Sequence, residues 1–295
     1  CELMTYGMAK EADLYADDVK LLTGEGFLGV NFSVRGLMDF DVEFHSPGKF
    51  SVYNALTAIA ICKHFDIPVE AMKAALKEAK VKGRIELMKV SKDFTLMIDY
   101  AHNAMSLESL LTTLREYNPK RLVCLFGCGG NRAKTRRFEM GEVSGRMSDH
   151  TVITSDNPRN EDPEAIIDDI IEGLSFTKPY MRITDRKAAI RRAITIAEKG
   201  DIIVLAGKGH EDYQILRDNV HIHFDEREIV KEVMHSYIRK RYDPDVEEMV
   251  TINEIMDVTG GKPFSIRNYD RSIPMSAIFS DTRNIISGGI FVALK

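Results

Sequence analysis

Residues 121–130 read RLVCLFGCGG, an apolar run that ends in a glycine-rich turn. Four runs of the same kind lie on either side of it and alternate with helical patterns: LMIDYAH, TVITSDN, MRITDR and DIIVLAGKGH. Apolar strands that alternate with helices are typical of a parallel sheet with helices on both faces. We therefore predict an α/β fold with a doubly wound sheet, and helices that begin at Ser106, Phe138, Pro163 and Lys187.

The composition is that of a globular protein with about two domains, since the chain has 295 residues, 44% hydrophobic and 29% charged. A formal net charge of −5 weighs against a general nucleic-acid binder. No apolar stretch approaches the roughly 20 residues that a membrane span requires. The four cysteines lack the spacing of a zinc site and favour a reducing compartment, the cytoplasm.

The segments on either side of the predicted sheet carry different patterns. Residues Leu28–Phe44 alternate between apolar and polar side chains, which predicts antiparallel strands, and two helices follow at Ser51–His64 and Val69–Ala79. After the last strand we predict a helix from Glu226 to Arg239 and a charged linker, RKRYDPDVEE. Beyond it, a short helix and a strand-turn-strand unit are predicted at Thr251–Gly261 and Ala277–Leu294.

Polar clusters follow several of the predicted parallel strands, at the sheet edge where open α/β folds bind ligands. The glycines and Arg132 of GCGGNR can form a nest for an anion, and Glu211 of GKGHEDY can bind an ammonium group. Asp99 and His102 of DYAH suit nucleotide hydroxyls, metal-bound water or proton transfer.

The stretch DNPR, Asp156 to Arg159, is the most distinctive of these clusters. Pro158 fixes its own φ and restricts Asn157, so the backbone is stiff where the polar side chains project. A stiff turn that carries a guanidinium suits recognition of a small carboxylate.

Each cluster also has a purely structural interpretation. DNPR fits a turn into a helix capped by Asp162, with Pro163 at its first position. GCGGNR fits a glycine turn, GKGHEDY fits a solvated loop, and DYAH fits a helix start capped by Asn103 or Ser106. The alignment of several anion-binding and carboxylate-binding loops at one edge favours a site that joins acidic ligands. His221 and His223 are expected at the surface, without a role.

Four longer stretches carry a family resemblance: DYAHNAMSLESLL, FGCGGNRAKTRRFEMG, SDNPRNEDPEAII and AGKGHEDYQI. In this order and spacing they resemble the C-terminal half of the Mur ligases, over residues 5–242. The resemblance implies the end of a central ATPase domain at residues 1–83 and a Rossmann-like C-terminal domain at residues 84–241. It also implies an ATP-dependent and Mg²⁺-dependent cytoplasmic ligase of peptidoglycan precursor synthesis, in which the substrate carboxylate is phosphorylated before an amine attacks it.

The family pattern also implies roles for individual residues. ATP contacts fall on four residues, of which the last is also the one candidate for a catalytic role: Asn54, Arg84, Asp99 and His102. The pocket for the incoming amino acid falls on six residues: Arg132, Asp156, Asn157, Arg159, Gly207 and Glu211. No metal ligand is assigned, because the resemblance places the family's phosphate loop, magnesium ligands and carbamylated lysine before residue 1. We therefore expect the isolated chain to be inactive as a ligase.

The DNPR stretch resembles the members that add meso-diaminopimelate to UDP-N-acetylmuramoyl-L-alanyl-D-glutamate. In this interpretation Arg159 binds the distal carboxylate of the diamino acid and Glu211 binds its distal ammonium. The sequence departs from the family pattern at Ser51, at Asn103-Ala104 and at NRAKTRR, although Arg132 is kept. Alternatives are a lysine-adding member, a non-catalytic module that binds diaminopimelate peptides, and folylpolyglutamate synthetase, which DNPR opposes.

The C-terminal segment carries a second resemblance. TINEIMDVTGGK and IFSDTRNIISGGIFVALK resemble the opening of the Mur ligase that adds D-alanyl-D-alanine. This resemblance implies a linker at residues 242–250 and a truncated α/β N-terminal domain at residues 251–295. The sequence thus predicts two successive ligases fused in one protein.

Overall fold

The computed structural model describes residues 3–24, 27–174, 178–242, 278–279 and 290–291. The chain forms two compact units, residues 1–231 and residues 232–295. Among the described residues, no helix is both long enough and apolar enough to cross a bilayer.

The helices are α1 (Lys49–His64), α2 (Val69–Glu78), α3 (Ala104–Arg115), α4 (Thr135–Met147), α5 (Pro163–Gly173), α6 (Arg186–Thr195) and α7 (Glu226–Tyr242). The strands are β1 (Tyr6–Gly7), β2 (Leu14–Gly24), β3 (Phe27–Gly36), β4 (Phe40–Phe44), β5 (Glu86–Met88), β6 (Thr95–Asp99), β7 (Leu122–Phe126), β8 (His150–Ile153), β9 (Tyr180–Arg182), β10 (Ile202–Ala206), β11 (Tyr213–Ile215), β12 (His221–His223), β13 (Ile278–Phe279) and β14 (Ile290–Phe291).

The first sheet has the order β1-β2-β3-β4, and its strands β2, β3 and β4 are antiparallel. Of these, β3 and β4 are the strands that the alternating pattern predicts. Val30, Phe32 and Val34 project from one face of β3 into a core that α1 and α2 cover. The strand β2 was not predicted, because a register shift between Asp17 and Lys20 interrupts its alternation. Asp18 lies in this irregularity with φ 52°, a conformation that an alternating pattern does not reveal.

The second sheet has the order β5-β6-β10-β7-β8-β9 and holds the larger core. The five strands predicted from apolar runs, β6 to β10, pair in parallel, while the short edge strand β5 is antiparallel and was not predicted. Every residue of β6, β7 and β10 is buried, which explains their continuous apolar sequences. The predicted α/β fold with a parallel sheet is therefore confirmed over these five strands.

Helix starts follow the capping residues. The helix α5 begins at Pro163 as predicted, with Asp162 Oδ1 accepting a hydrogen bond from the Glu164 backbone N–H at 3.0 Å. The helix α3 begins at Ala104 instead of Ser106, because the Asn103 side chain caps the Ser106 N–H and draws the preceding residues into the first turn. The helix α4 begins three residues before the predicted Phe138, and α6 begins one residue before Lys187.

Tyr117, after α3, joins the two sheets of the first unit. Its hydroxyl donates to the Gly29 carbonyl oxygen at 2.7 Å and accepts from the Gly48 backbone N–H at 3.0 Å. Burial raises the pKa of Tyr117 to about 12, so the hydroxyl keeps its proton and its donor role at pH values where an exposed tyrosine would already ionise. Leu28 of β3 adds to this connection by packing in the core of the second sheet.

The helix α7 continues to Tyr242, beyond the predicted end at Arg239 and into the predicted linker. Lys240 and Arg241 are good helix formers, and Pro244 is the first residue that disfavours a continued helix. In the second unit, β13 and β14 pair in parallel, with Ile278 beside Ile290. The other predicted elements of this unit, including the helix at residues 251–261, lie outside the described residues.

Candidate functional site

A cleft of about 340 Å³ lies at the carboxyl ends of the parallel strands of the second sheet. It brings together seven of the ten predicted site residues, His102, Arg132, Asp156, Asn157, Arg159, Gly207 and Glu211, with Tyr100, Gly127, Cys128, Gly129 and Arg136 completing its lining. Three predicted residues, Asn54, Arg84 and Asp99, do not line it.

Two carboxylates and one amide form the acidic side of the cleft. The Asn157 amide donates from Nδ2 to Glu211 Oε2 at 3.0 Å, which ties the DNPR turn to the loop after β10. Asp156 and Asn157 are both buried, with 7% and 5% of their surfaces exposed. Gly207 has φ 115°, a backbone conformation that strains any L side chain, and it lies beside Asp156. The loops thus hold their acceptors in defined positions.

Beneath this acidic side lies Lys208, a residue to which the sequence patterns assigned no role. Its Nζ atom donates hydrogen bonds to Asn157 Oδ1 at 2.9 Å and to the Tyr213 carbonyl oxygen at 2.8 Å. It also lies 3.2 Å from Asp156 Oδ1 and 3.4 Å from Glu211 Oε2. The only feature of the sequence that could have marked Lys208 as part of the site is its place between two glycines, directly after a buried strand.

Arg159 adopts a left-handed backbone conformation, with φ 52°, which is unusual for a residue other than glycine. Its backbone N–H donates to the Ile215 carbonyl oxygen at 3.1 Å, and its Nη1 atom donates to the Gly130 carbonyl oxygen at 3.0 Å. Backbone strain of this kind persists where the surroundings fix it, and it is concentrated at binding sites. The DNPR turn therefore both leads into α5 and presents its guanidinium to the cleft.

Arg132 and Arg136 also line the cleft, and neither forms a hydrogen bond or ion pair with the side chains that the structure describes. Arg137 behaves differently, because it is 1% exposed and pairs with Glu161 and Asp169 at 2.8 Å. Arg137 is therefore structural, whereas its two neighbours remain available to an anionic ligand.

The glycine-rich loop after β7 serves as a close-packed support for the DNPR turn. A Cβ atom on Gly130 would lie 1.9 Å from the Pro158 carbonyl oxygen, so only glycine fits there. The Gly130 N–H donates to the Asn157 carbonyl oxygen at 2.9 Å, and the Asn131 N–H donates to Glu161. The predicted anion nest is wrong at the Gly130 amide, because its hydrogen atom already has a partner within the protein.

Three of the four residues assigned to ATP lie near the end of β6. Both oxygens of the buried Asp99 accept backbone hydrogen bonds, from Ile85 at 2.8 Å and from Ala101 at 2.7 Å. Burial raises the pKa of Asp99, and these two donors oppose that change. Arg84 stacks on the Tyr100 ring at 4.8 Å.

Of the other two residues assigned to ATP, His102 lies close to Arg84 and Tyr100, whereas Asn54 does not. The ring of His102 lies 4.7 Å from that of Tyr100, so His102 adjoins the Arg84 stack. Asn54 lies on the exposed side of α1, in the first sheet's layer. The structure thus places three of the four residues assigned to ATP at the end of β6, and Asn54 elsewhere.

A fully buried ion pair supports the base of the cleft. Arg186 and Glu226 both have side chains that are 0% exposed, and Arg186 Nε donates to Glu226 Oε1 at 2.8 Å. The same guanidinium donates to the carbonyl oxygens of Ser155 at 3.3 Å and Ala206 at 2.9 Å. These carbonyls immediately precede Asp156 and Gly207, so one buried cation fixes the ends of two strands that carry site residues.

The cleft offers neither a thiol nucleophile nor a metal centre of its own. Burial raises the pKa of Cys128 to about 12, so its thiol stays protonated at neutral pH. Among the described residues, no group of three or more His, Cys, Asp or Glu side chains could hold a metal ion. The chemistry that the geometry supports is recognition of a ligand with both anionic and cationic groups.

Comparison with known proteins finds a matching family for the part of the chain that forms the cleft. Residues 83–209, which hold nearly all of the cleft, match the family described as Mur ligase, glutamate ligase domain. The chain contains a Mur ligase C-terminal domain. Its Mur ligase domain includes the strands β5 to β10 and the DNPR turn.

Relatives of this Mur ligase domain have a consistent name. The UDP-N-acetylmuramoyl-L-alanyl-D-glutamate–2,6-diaminopimelate ligase 1 of Clostridium acetobutylicum is 47% identical over 234 residues, 78% of this chain and 47% of the relative. The ligase of that name from Caldanaerobacter subterraneus is 44% identical over 236 residues, 79% of this chain and 48% of the relative. The chain therefore spans about half the length of the curated relatives it matches.

A solved structure agrees with the sequence comparison. It is titled as the structure of a UDP-N-acetylmuramoyl-L-alanyl-D-glutamate–2,6-diaminopimelate ligase and matches with a TM-score of 0.62 and 30% identity. The match covers 80% of this chain and 48% of that one. The Mur ligase domain and the layer before it thus share both sequence and fold with these ligases.

Proposed function

We propose that this chain binds the incoming amino acid of an ATP-dependent ligase that adds meso-diaminopimelate to UDP-N-acetylmuramoyl-L-alanyl-D-glutamate. The observation that carries the proposal is the charge arrangement of the cleft, in which Arg132, Arg136 and Arg159 accompany Asp156 and Glu211. A diamino dicarboxylic acid has carboxylates that can pair with the three arginines and an ammonium that can pair with the two acidic residues. The names of the relatives support the same substrate.

In the proposed reaction, ATP phosphorylates the terminal carboxylate of the UDP-linked dipeptide and gives an acyl phosphate and ADP. The neutral amine of the diamino acid attacks the acyl carbon, loses a proton, and expels inorganic phosphate to form the amide. Such a reaction depends on positioning and on neutralisation of charge more than on protein nucleophiles. The cleft fits this requirement, because its lining combines three guanidinium groups with two carboxylates, which can position a charged substrate.

Specificity for diaminopimelate follows from its distal end, which carries both a carboxylate and an ammonium. In the proposed complex Arg159 binds the distal carboxylate, and Glu211 binds the distal ammonium. Lysine lacks the distal carboxylate and would leave the guanidinium without its partner in a partly buried cleft. Sites built around such pairs discriminate strongly against the incomplete ligand.

ATP binding is proposed for the group at the end of β6. The Arg84 guanidinium and His102 are the groups there that suit phosphate or hydroxyl recognition, whereas Asp99 shapes the backbone and has both oxygens engaged. The assignment of Asn54 to ATP stays a prediction, since Asn54 does not line the cleft. No described residue is assigned to Mg²⁺, because the acidic and histidine side chains are not clustered for it.

Two features of the proposal concern the protein around this domain. The three described cysteines, Cys62, Cys124 and Cys128, are free thiols, which supports a reducing compartment such as the cytoplasm. The resemblance of residues 251–295 to the opening of a second Mur ligase supports a fused D-alanyl-D-alanine-adding enzyme. Sequencing the transcript that contains this chain tests the fusion directly, since an open reading frame that ends shortly after these residues would contradict it.

Binding to the 295-residue chain tests the proposed substrate. NMR titration with meso-diaminopimelate, at concentrations up to tens of millimolar, is expected to shift the backbone amides of the DNPR turn and the loop after β10. Lysine, at the same concentrations, is expected to bind at least about tenfold more weakly because it forms one fewer charge-assisted contact. Equal affinities favour the lysine-adding alternative, and tighter binding of a diaminopimelate-containing peptide than of the free amino acid favours the non-catalytic module.

A further inference from the structure

Lys208 is fully buried, yet it is the residue on which the acidic side of the cleft converges. Its side chain is 0% exposed and does not line the cleft, so it cannot touch a ligand bound there. A buried ammonium is stable only when its three donors find acceptors. Lys208 finds them on the neighbouring loops, at Asn157 Oδ1, the Tyr213 carbonyl oxygen and Glu211 Oε2, and it forms an ion pair with Asp156.

The lysine determines which way the Asn157 amide points. Oδ1 of Asn157 accepts from Lys208 Nζ at 2.9 Å and from the Ile215 backbone N–H at 2.9 Å. Both partners are donors only, so the opposite amide orientation would set donor against donor. Nδ2 must therefore be the atom that faces Glu211, to which it donates at 3.0 Å.

The position of the Glu211 carboxylate follows from the same contacts. Its Oε2 atom is held by Asn157 Nδ2 and lies 3.4 Å from Lys208 Nζ. Its Oε1 atom accepts no hydrogen bond from the described residues, and the residue lines the cleft. One oxygen is thus fixed by the protein, while the other is left for a ligand.

The cluster of Asp156, Glu211 and Lys208 carries a net negative charge. Asp156 and Glu211 bring two negative charges, and Lys208 offsets one of them within the protein. The net charge of the three groups therefore matches a single cation in the cleft. We propose that Lys208 is a positioning residue, which fixes Glu211 and Asn157 so that they recognise one ammonium group. In the function proposed above, on which this inference rests, that ammonium group belongs to the diamino acid.

The test compares Lys208→Met with the wild-type chain, using two ligands that differ in one ammonium. NMR titrations measure the dissociation constants of meso-diaminopimelate and of 2-aminopimelate, which lacks the distal ammonium. The variant is expected to bind diaminopimelate at least about tenfold more weakly, because a charge-assisted contact is lost, but aminopimelate within about twofold of wild type. Lys73→Met, which changes a partly exposed lysine on α2, serves as the control and leaves both constants unchanged.

A purely structural lysine would weaken both ligands equally, and that result overturns the inference. Lys208→Gln restores a hydrogen-bond donor without the charge, and it is expected to recover part of the preference for diaminopimelate. This second variant also covers the case in which Lys208→Met fails to fold. A glutamine variant that is folded and keeps the wild-type affinities for both ligands contradicts the role of the charge.

A measurement without ligand separates this inference from the proposed function. Hydrogen exchange of the Asn157 side-chain amide, assigned by NMR, is expected to become at least about tenfold faster in Lys208→Met or Lys208→Gln. If the wild-type chain does not bind diaminopimelate, the proposed substrate is wrong, and the exchange rates still decide whether Lys208 holds the amide. Unchanged exchange in both variants shows that it does not.

Discussion

The Nη1 atom of Arg159 donates a hydrogen bond to the carbonyl oxygen of Gly130 at 3.0 Å, and so joins loops that follow two different strands. This contact and a longer one to the Asn157 carbonyl oxygen, at 3.4 Å, involve the same terminal nitrogen. The other nitrogens of the guanidinium keep their donors for a ligand. Arg159 is therefore held in place before any substrate arrives.

Replacing this guanidinium is expected to weaken binding of meso-diaminopimelate selectively. A charge-assisted hydrogen bond contributes roughly 1.5–3 kcal/mol, so Arg159→Ala is expected to raise the dissociation constant at least about tenfold. NMR or calorimetric titration of the chain measures this change. Arg217→Ala, an exposed arginine on the loop between β11 and β12, is the matched control.

Lysine distinguishes a binding role from a turn role for the same residue. Because lysine has no distal carboxylate, its weak affinity is expected to change by less than about twofold in Arg159→Ala. The preference for diaminopimelate over lysine then falls with the mutation. A preference that stays constant means that Arg159 acts only as a turn residue, and the assignment of the distal carboxylate is then wrong.

The backbone of Arg159 gives a separate prediction about stability. Left-handed φ values cost an L residue roughly 1–2 kcal/mol, and glycine is free of this cost. Arg159→Gly is therefore expected to be more stable than Arg159→Ala by about 1 kcal/mol, although glycine usually lowers stability through the unfolded chain. Urea denaturation followed by circular dichroism measures both variants, and an alanine variant of equal or higher stability contradicts the strained conformation.

Removing the hydroxyl of Tyr117 is expected to loosen the connection between the two sheets. Tyr117→Phe leaves the Gly48 N–H and the Gly29 carbonyl without this partner, at a cost of about 1–3 kcal/mol in the free energy of unfolding at pH 8. Tyr180→Phe, at a tyrosine that is 39% exposed, is the control and is expected to change little.

The same hydroxyl gives a prediction about pH. Its folded pKa of about 12 exceeds the ordinary value of about 10, so its contribution is complete below pH 10 and is lost as pH rises towards 12. The stability difference between wild type and Tyr117→Phe is therefore expected to shrink between pH 10 and pH 12. A difference that grows over this range would contradict the raised pKa.

The buried pair of Arg186 and Glu226 is expected to be costly to break from either side. Arg186→Met or Glu226→Leu alone leaves an uncompensated buried charge, which typically destabilises a protein by about 3–5 kcal/mol. The double variant is expected to lose less than the sum of the two single losses. Equilibrium unfolding of the four proteins forms the cycle, and additive losses would mean that the two charges do not interact.

An exposed ion pair provides the matched control for that cycle. Arg146 and Glu108 form a pair whose side chains are 53% and 48% exposed. Solvent screens such pairs, so Arg146→Met is expected to leave stability unchanged within experimental error. The contrast between the two pairs isolates the effect of burial.

Much of the architecture was accessible from local sequence patterns. The strands β6, β7 and β10 are buried along their whole length, and their apolar runs are therefore continuous and easy to identify. Asp162 and Pro163 marked the start of α5 to the residue, because capping is a local interaction. The edge strand β5 was missed, since three half-buried residues carry no clear alternation.

The grouping of most candidate residues in one cleft was predictable from the sequence, but their contacts were not. Seven predicted residues do line one cleft, because the carboxyl ends of parallel strands meet at the same edge. Lys208 escaped notice, since a lysine in a loop is usually solvated and its burial depends on loops distant in sequence. The pairing of Arg186 with Glu226 spans 40 positions, a separation that no local pattern encodes.

The buried guanidinium of Arg186 also bears on how this scaffold can be altered. It donates hydrogen bonds to the carbonyl oxygens of Ser155 and Ala206, the residues that precede Asp156 and Gly207. These contacts involve only backbone atoms of the two loops and do not depend on the loop side chains. Substitutions in the loops are therefore expected to change ligand recognition while the ends of the strands keep this anchor. Residues 156–159 and 208–211 accordingly form a natural set to exchange together in redesign.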